Sequence, residues 1–253
     1  MKNSFFAAFL MYSRIPMPEI SWEEENHRYA LCFFPLIGMV IGGLEVLWWW
    51  FGRWIGMGTV LYGAVAAALP LFITGGIHMD GYMDVWDAKA CLGSREKMFQ
   101  VMKDSRIGAF AAIHVCLYLL LQTALFTEIS SIQVVIAAAS CFIQSRALSA
   151  LAAVTWNNAR KEGTLQSFSR PAQKHLTIGV ELVWLAAVWC GMCLVHPPTG
   201  IGAIAGGVVA FLYYRWFSTK TFGGITGDLA GYFLQLCELA GLAGVVVGSW
   251  FIK

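Results

Sequence analysis

Residues 30–51 read ALCFFPLIGMVIGGLEVLWWWF, twenty-two positions with one charge, at Glu45. The run does not alternate between apolar and polar, so it is not a half-buried strand. An apolar run of about 18 or more residues has the length of a membrane-spanning helix. Six further blocks of this kind follow, at about 59–77, 107–126, 132–154, 176–195, 200–217 and 229–252. Over all 253 residues the chain is 58% hydrophobic and 13% charged, with mean hydropathy +0.64. That is too little charge to cover a soluble surface. Small-residue runs such as GAVAAALP and GAIAGGVVA suit helices that pack closely in lipid. The expected fold is all-α: a polytopic integral membrane helix bundle of about seven transmembrane helices, forming one domain over 1–253.

The start, MKNSFFAAFLMYSRIPMPEI, has a short apolar run, then Arg14 and two prolines, without a small-residue cleavage site. Residues 1–28 therefore read as an interfacial segment. With seven spans, the N-terminus and the loops after spans 2, 4 and 6 share one side. That side carries 14 of the 17 Lys and Arg; the other has only Arg53 and Lys253, and Arg146 falls inside span 4. The basic side should be cytoplasmic. The net charge of +2 does not point to a nucleic-acid partner. The seven Cys are scattered, and Cys190 and Cys193 of CGMC lie within a span, so they read as packing thiols.

The five Asp of the chain all lie in or beside the loops after spans 2 and 6. The stretch TGGIHMDGYMDVWDA, residues 74–88, places Asp80, Asp84 and Asp87 at i, i+4 and i+7 on one helix face. Three like charges there repel unless a cation binds. Carboxylates are hard oxygen ligands that suit Mg²⁺ or Mn²⁺, and no zinc-type His/Cys cluster accompanies them. The ordinary alternative is a solvated acidic cap.

MKDSRIGAFA, residues 102–111, closes the same loop. Asp104 offers a fourth carboxylate, Ser105 a helix cap and Arg106 a bidentate anion contact; a plain helix start is the alternative. KTFGGITGDLAGYFLQLCELA, residues 220–240, puts Gly223 and Gly224 before Asp228, a phosphate seat or a tight membrane turn. The catalytic loops are thus expected at 78–106 and 218–228. Arg146, buried in QSRALSA, needs an anionic partner, either a carboxylate or a substrate phosphate. Glu238 should face the bundle interior; Glu45 and Glu181 sit at similar depth without a motif. His78 is a candidate base or ligand, although a lone interfacial His is more often only hydrogen-bonded. Acidic groups, Arg/Lys and glycine turns on one face suit a metal bridging a diphosphate.

With these motifs in order, the chain resembles the cobalamin synthase (adenosylcobinamide-GDP ribazoletransferase) family nearly end to end. FLMYSRIPMP and FFPLIGMVIG are similar to its opening phrases, and TGGIHMDGYMDVWDA to its Asp-rich core. MKDSRIGAFA, SRALSA and GGITGDLAGYFLQLCE match later signatures. Met83 and Ala88 stand where a small Ala and a Gly are more usual, and Tyr82 and Tyr232 are bulkier than the pattern.

The resemblance implies a Mg²⁺-dependent membrane transferase. It would join adenosylcobinamide-GDP to α-ribazole or its 5′-phosphate and release GMP. It implies Asp80, Asp84, Asp87 and Asp104 as metal ligands, with Asp84, Asp87, Asp228 and His78 as catalytic candidates. Lys103, Ser105, Arg106, Arg146, Glu238, Gly75, Gly76, Gly223 and Gly224 would bind or shape the substrate site. Homo-oligomers, or association with other corrinoid-pathway enzymes, fall within the expectation. A CDP-alcohol phosphotransferase also clusters Asp on membrane helices, but Asp80-Gly81 is not followed by its Ala-Arg. A transporter would use Glu45, Arg146, Glu181 and Glu238 as an ion path, yet the strongest polar clusters lie at one face rather than the midplane.

Overall fold

The computed structural model describes residues 1–91, 93–104, 106–160 and 163–251, except the side chain of Thr164. In chain order the helices are α1 (Lys2–Tyr12), α2 (Glu24–His27), α3 (Phe34–Ile55), α4 (Thr59–Thr74), α5 (Ile77–Ala90), α6 (Arg95–Val101), α7 (Ala109–Thr127), α8 (Ile132–Thr155), α9 (Thr164–Ser169), α10 (Lys174–Val195), α11 (Pro197–Phe217) and α12 (Gly227–Ser249). A 3₁₀ turn, Ala30–Phe33, leads into α3, and a π turn, Ser218–Phe222, follows α11. Among the described residues there is no strand, only an isolated bridge between Asn158 and Ile225.

Six helices are long and apolar enough to cross a membrane, seven if the bent pair α4–α5 counts as one. They coincide with the seven apolar blocks, so the chain is an all-α multi-pass membrane protein. The bend is 99°. It falls at Gly75 and Gly76, with φ of 66° and 78°. Left-handed backbone costs glycine little and other residues more, so two successive glycines permit the turn here. It takes α5 out of line with α4. α5 then packs on the first turns of α7 and α12.

α8 is the central helix, packed by α3, α10, α11 and α12. Ser131 caps its start by accepting from the Val134 amide at 3.4 Å. Gln144, Ser145 and Arg146 of its polar row make hydrogen bonds inside the bundle. Gln144 donates to the Ala203 carbonyl at 3.1 Å and accepts from Trp189 Nε1 at 2.6 Å. α11 meets α12 through glycines: a Cβ on Gly206 would overlap the Ala240 carbonyl, and one on Gly202 the Gly244 carbonyl. Such contacts replace the hydrophobic drive that lipid cannot supply.

The N-terminal stretch and the loops after α5, α8 and α11 come together at one end. The Arg14 amide donates to the Ile73 carbonyl at 2.7 Å, and Gln173 N to Arg28 O at 3.1 Å. Arg95 Nε reaches Thr221 O at 3.1 Å, and Arg160 Nη2 reaches Phe99 O at 3.3 Å. This is the side on which the basic residues were counted. α1 is more than a surface helix: Ala7, Ala8 and Phe9 are buried, the first two clustering with Ala30 and Phe168.

Deep in the bundle Arg146 has found a carboxylate. Its Nη1 lies 2.7 Å from Glu238 Oε1, with both side chains almost wholly buried. Nη1 also donates to Phe142 O at 2.9 Å, and Ser145 Oγ to Glu238 at 3.1 Å. Among the described residues, Arg146 Nε and Glu238 Oε2 have no partner. Removing one member of such a pair strands the other, at a cost of about 3–5 kcal/mol. Arg146→Met alone and Glu238→Leu alone should each lower the unfolding temperature in detergent. The double variant should recover most of that loss. Equal losses in all three would show that the pairing is not what these residues contribute.

Candidate active site

The polar end of the bundle is organised by the crossing of α5 and α12. A Cβ on Gly81 would lie 2.9 Å from the Asp228 Cα, and one on Gly231 would lie 2.8 Å from the His78 carbonyl oxygen. Each helix presents a glycine where the other's backbone passes. Asp228, at the start of α12, is thereby set against the face of α5 that carries Asp80 and Asp84. Thr226 caps α12, accepting from the Leu229 amide at 3.2 Å. Beyond the glycines, Tyr82 stacks on Tyr232 with centroids 5.6 Å apart and touches Tyr118. These bulky departures from the family pattern therefore fill the helix interface.

The carboxylates divide by environment. Asp80 is exposed and Asp84 half-buried. The Asp84 carboxyl is pushed up to about 7, first by burial and then by Asp80, Asp228 and Asp87, with Arg160 partly opposing. Asp87 is engaged by backbone: it accepts from Gly108 N at 2.6 Å and Ala111 N at 2.9 Å, holding the start of α7. Asp104 forms a surface ion pair with Arg106 at 2.7 Å, which holds its carboxyl down to about 2. Among the described residues no three His, Cys, Asp or Glu side chains form a ready-made metal cage.

Lys103 and Arg106 border the carboxylate cleft. Arg160 was not among the expected site residues. It lies 3.6 Å from Asp228 and over the Phe99 ring at 4.5 Å. Only its place in the polar loop WNNARKEG of an apolar chain could have marked it. Ser105 lies outside the described residues. The space a side chain would need at Gly223 is taken by Arg95, and at Gly224 by the Asn157 carbonyl. That turn is tied to the loop after α8: Ile225 N donates to Asn157 O at 2.9 Å, and Ala159 N to Ile225 O at 2.9 Å. The Arg14 side chain lies where a Gly75 side chain would go, whereas Gly76 faces open space.

Four cavities meet at this end, and Asp80 borders three of them. One of about 310 Å³ holds Asp80, Asp84, Asp87, Lys103, Asp104 and Arg106. One of about 560 Å³ runs along Arg14, Gly75 and Gly76. A small polar one of about 130 Å³ holds Asn158, Arg160, Gln166 and Asp228. The fourth, of about 210 Å³, lies between α1, α5, α8 and α12 and includes Tyr12, His78, Asp80 and Asp228. Arg146 and Glu238 line none of the four.

Residues 4–246 match the family model described as Cobalamin-5-phosphate synthase. A protein of Lachnoclostridium phytofermentans is 41% identical over 96% of this chain and 94% of its own length. One of Ralstonia nicotianae is 31% identical over 94% and 92%. One of Clostridium botulinum is 30% identical over 96% and 97%. All three are named adenosylcobinamide-GDP ribazoletransferase. No solved structure matches.

The bonds to Asp87 predict a structural phenotype. Asp87→Ala should destabilise the protein by about 1–2 kcal/mol, the size of a lost helix cap. Thermal unfolding without divalent metal should show it in full. Destabilisation that appears only with metal present would make Asp87 a ligand.

Proposed function

Because the chain belongs to the cobalamin-5-phosphate synthase family, we propose that this site joins adenosylcobinamide-GDP to α-ribazole or its 5′-phosphate with release of GMP. The observation that carries the reading to particular residues is the setting of Asp228 against Asp80 and Asp84 by the α5–α12 glycine crossing. We place the site at the cytoplasmic face of a bacterial inner membrane. The support is the gathering of the Lys/Arg-rich loops at this end.

Mg²⁺ is the metal that suits the donor set. It is commonly bound by one or two carboxylates plus substrate phosphate and water rather than by a full protein cage. Asp80 and Asp84 would hold it. The high Asp84 carboxyl reflects burial first and then the neighbouring carboxylates, whose repulsion a cation would relieve. Once bound, the metal would neutralise charge on the diphosphate oxygens. Arg160, beside Asp228, would hold a diphosphate oxygen, and Lys103 and Arg106 would attract the anion from the opposite wall. The ribazole hydroxyl forms the new P–O bond at the cobinamide-linked phosphorus. The bond from that phosphorus to the bridging oxygen breaks, and GMP departs with that oxygen. Asp228 borders both the cavity between α1, α5, α8 and α12 and the one that holds Arg160, and takes the hydroxyl proton.

The test is GMP release by the protein in liposomes with adenosylcobinamide-GDP, with and without α-ribazole phosphate and Mg²⁺. Release should require all of these, and Asp84→Asn and Asp228→Asn should each lower it at least about 100-fold. Release that survives Asp84→Asn would move the metal elsewhere. None from folded wild-type protein would end the transferase reading.

The cation and the proton compete for Asp84. Lowering the pH through the Asp84 value of about 7 should weaken Mn²⁺ binding, by up to about tenfold per unit below it. Asp84→Asn should flatten that dependence. Calorimetric titration at several pH values measures both, and a flat wild-type profile would remove Asp84 from the ligand set.

A further inference from the structure

The cavity of about 560 Å³ lies between the end of α1 and the 99° bend of α4 and α5. Arg14 and Asp80 are its only charged side chains, and they are not paired with one another. Most of the remaining wall is apolar, with Leu10, Leu71, Met79 and Met83. Its two hydroxyls are turned to backbone: Ser13 Oγ donates to Phe9 O at 2.7 Å and Thr74 Oγ1 to Pro70 O at 2.7 Å. Arg14 is therefore the side-chain donor that a ligand would meet there.

The chain fixes Arg14 at this place. Its amide donates to Ile73 O at 2.7 Å, which ties the stretch after α1 to the end of α4. Its side chain lies in the space that a side chain at Gly75 would need. Three arginines border the cavities at this end. Arg106 pairs with Asp104 and Arg160 with Asp228. Among the described residues the Arg14 side chain has no carboxylate or hydrogen-bond partner. A guanidinium held against a cavity with its donors free matches the geometry of a phosphate.

We propose that Arg14 seats the 5′-phosphate of a phosphorylated ribazole acceptor in this cavity, and so sets the preference for that acceptor over α-ribazole. The inference rests on the transferase reading above. Such an acceptor has two groups to place at once: a phosphate, and a hydroxyl of the same ribose that attacks phosphorus. Arg14 receives the first. Asp80, on the first turn of α5, borders both this cavity and the one bordered by Asp228, so the hydroxyl belongs at that junction. The donor's diphosphate has other cations, Lys103 and Arg106, in a separate cavity that Asp80 also borders. The cavity of about 210 Å³ has no Lys or Arg on its wall and offers a phosphate nothing. A lipid headgroup would satisfy the same guanidinium, and the test separates the two sources.

The test measures GMP release with α-ribazole 5′-phosphate and with α-ribazole at fixed adenosylcobinamide-GDP, using the full-length protein in liposomes. In wild type, kcat/KM should favour the phosphorylated acceptor by at least about tenfold, the size of one charge-assisted hydrogen bond. Arg14→Gln should bring that ratio to within about twofold of one, with the loss falling on the phosphorylated acceptor. Arg14→Lys, which keeps the charge without the planar fork, should retain part of the preference. KM for adenosylcobinamide-GDP should stay within about twofold.

Equal kcat/KM for the two acceptors in wild type would overturn the proposal without any variant. So would an Arg14→Gln loss of the same size with both acceptors, or one confined to adenosylcobinamide-GDP. An Arg14 effect that follows the anionic lipid content of the liposomes and ignores the acceptor's phosphate would overturn it in favour of a headgroup. No GMP release with either acceptor, from folded wild-type protein, would instead refute the transferase reading.

Discussion

Two glycines on crossing helices govern the arrangement of the polar end. Gly81 lets α5 rest on the backbone at Asp228, and Gly231 lets α12 rest on the backbone at His78. A methyl group at either position would push the helices apart and move Asp228 away from the face of α5 that carries Asp80 and Asp84. The neighbouring elements reinforce that register. Tyr82 and Tyr232 stack beyond the glycines, and Asp87 fastens α5 to the start of α7. The 99° bend at Gly75–Gly76 aims α5 at α12 in the first place.

Charge deep in the bundle is handled differently. Arg146 and Glu238 neutralise one another among Phe142 and Ser145, while the carboxylates of α5 stay crowded and under-neutralised near water. Burial without water favours internal pairing. The carboxylates at the polar end are left without such internal partners, which is the condition that binding a cation would require.

Much of the architecture was legible from the sequence because lipid leaves few options. Each apolar block of spanning length became a helix, and the Lys/Arg count identified the end where the loops gather. The Asp80, Asp84 and Asp87 spacing did put them on one helix, but spacing does not reveal what each oxygen meets. Asp87 is held by amides of Gly108 and Ala111, more than twenty residues away. Arg146 was expected to meet a carboxylate or a phosphate, and the choice depended on Glu238, 92 positions on. Gly223 and Gly224 carried a phosphate-seat pattern, yet Arg95 and Asn157 take up their space. Arg160 had no motif around it. All of these are long-range contacts, and local pattern does not encode them.

The division of the site between α5 and α12 also bears on how the protein is made. Asp84 is synthesised roughly 140 residues before Asp228 and well before Arg160. For much of translation the acidic face of α5 has neither its partner helix nor its arginine. Repelling carboxylates are costly in hydrocarbon, which favours keeping α5 at the water surface while the later spans insert. The same charges therefore favour one topology for α5 before α12 exists.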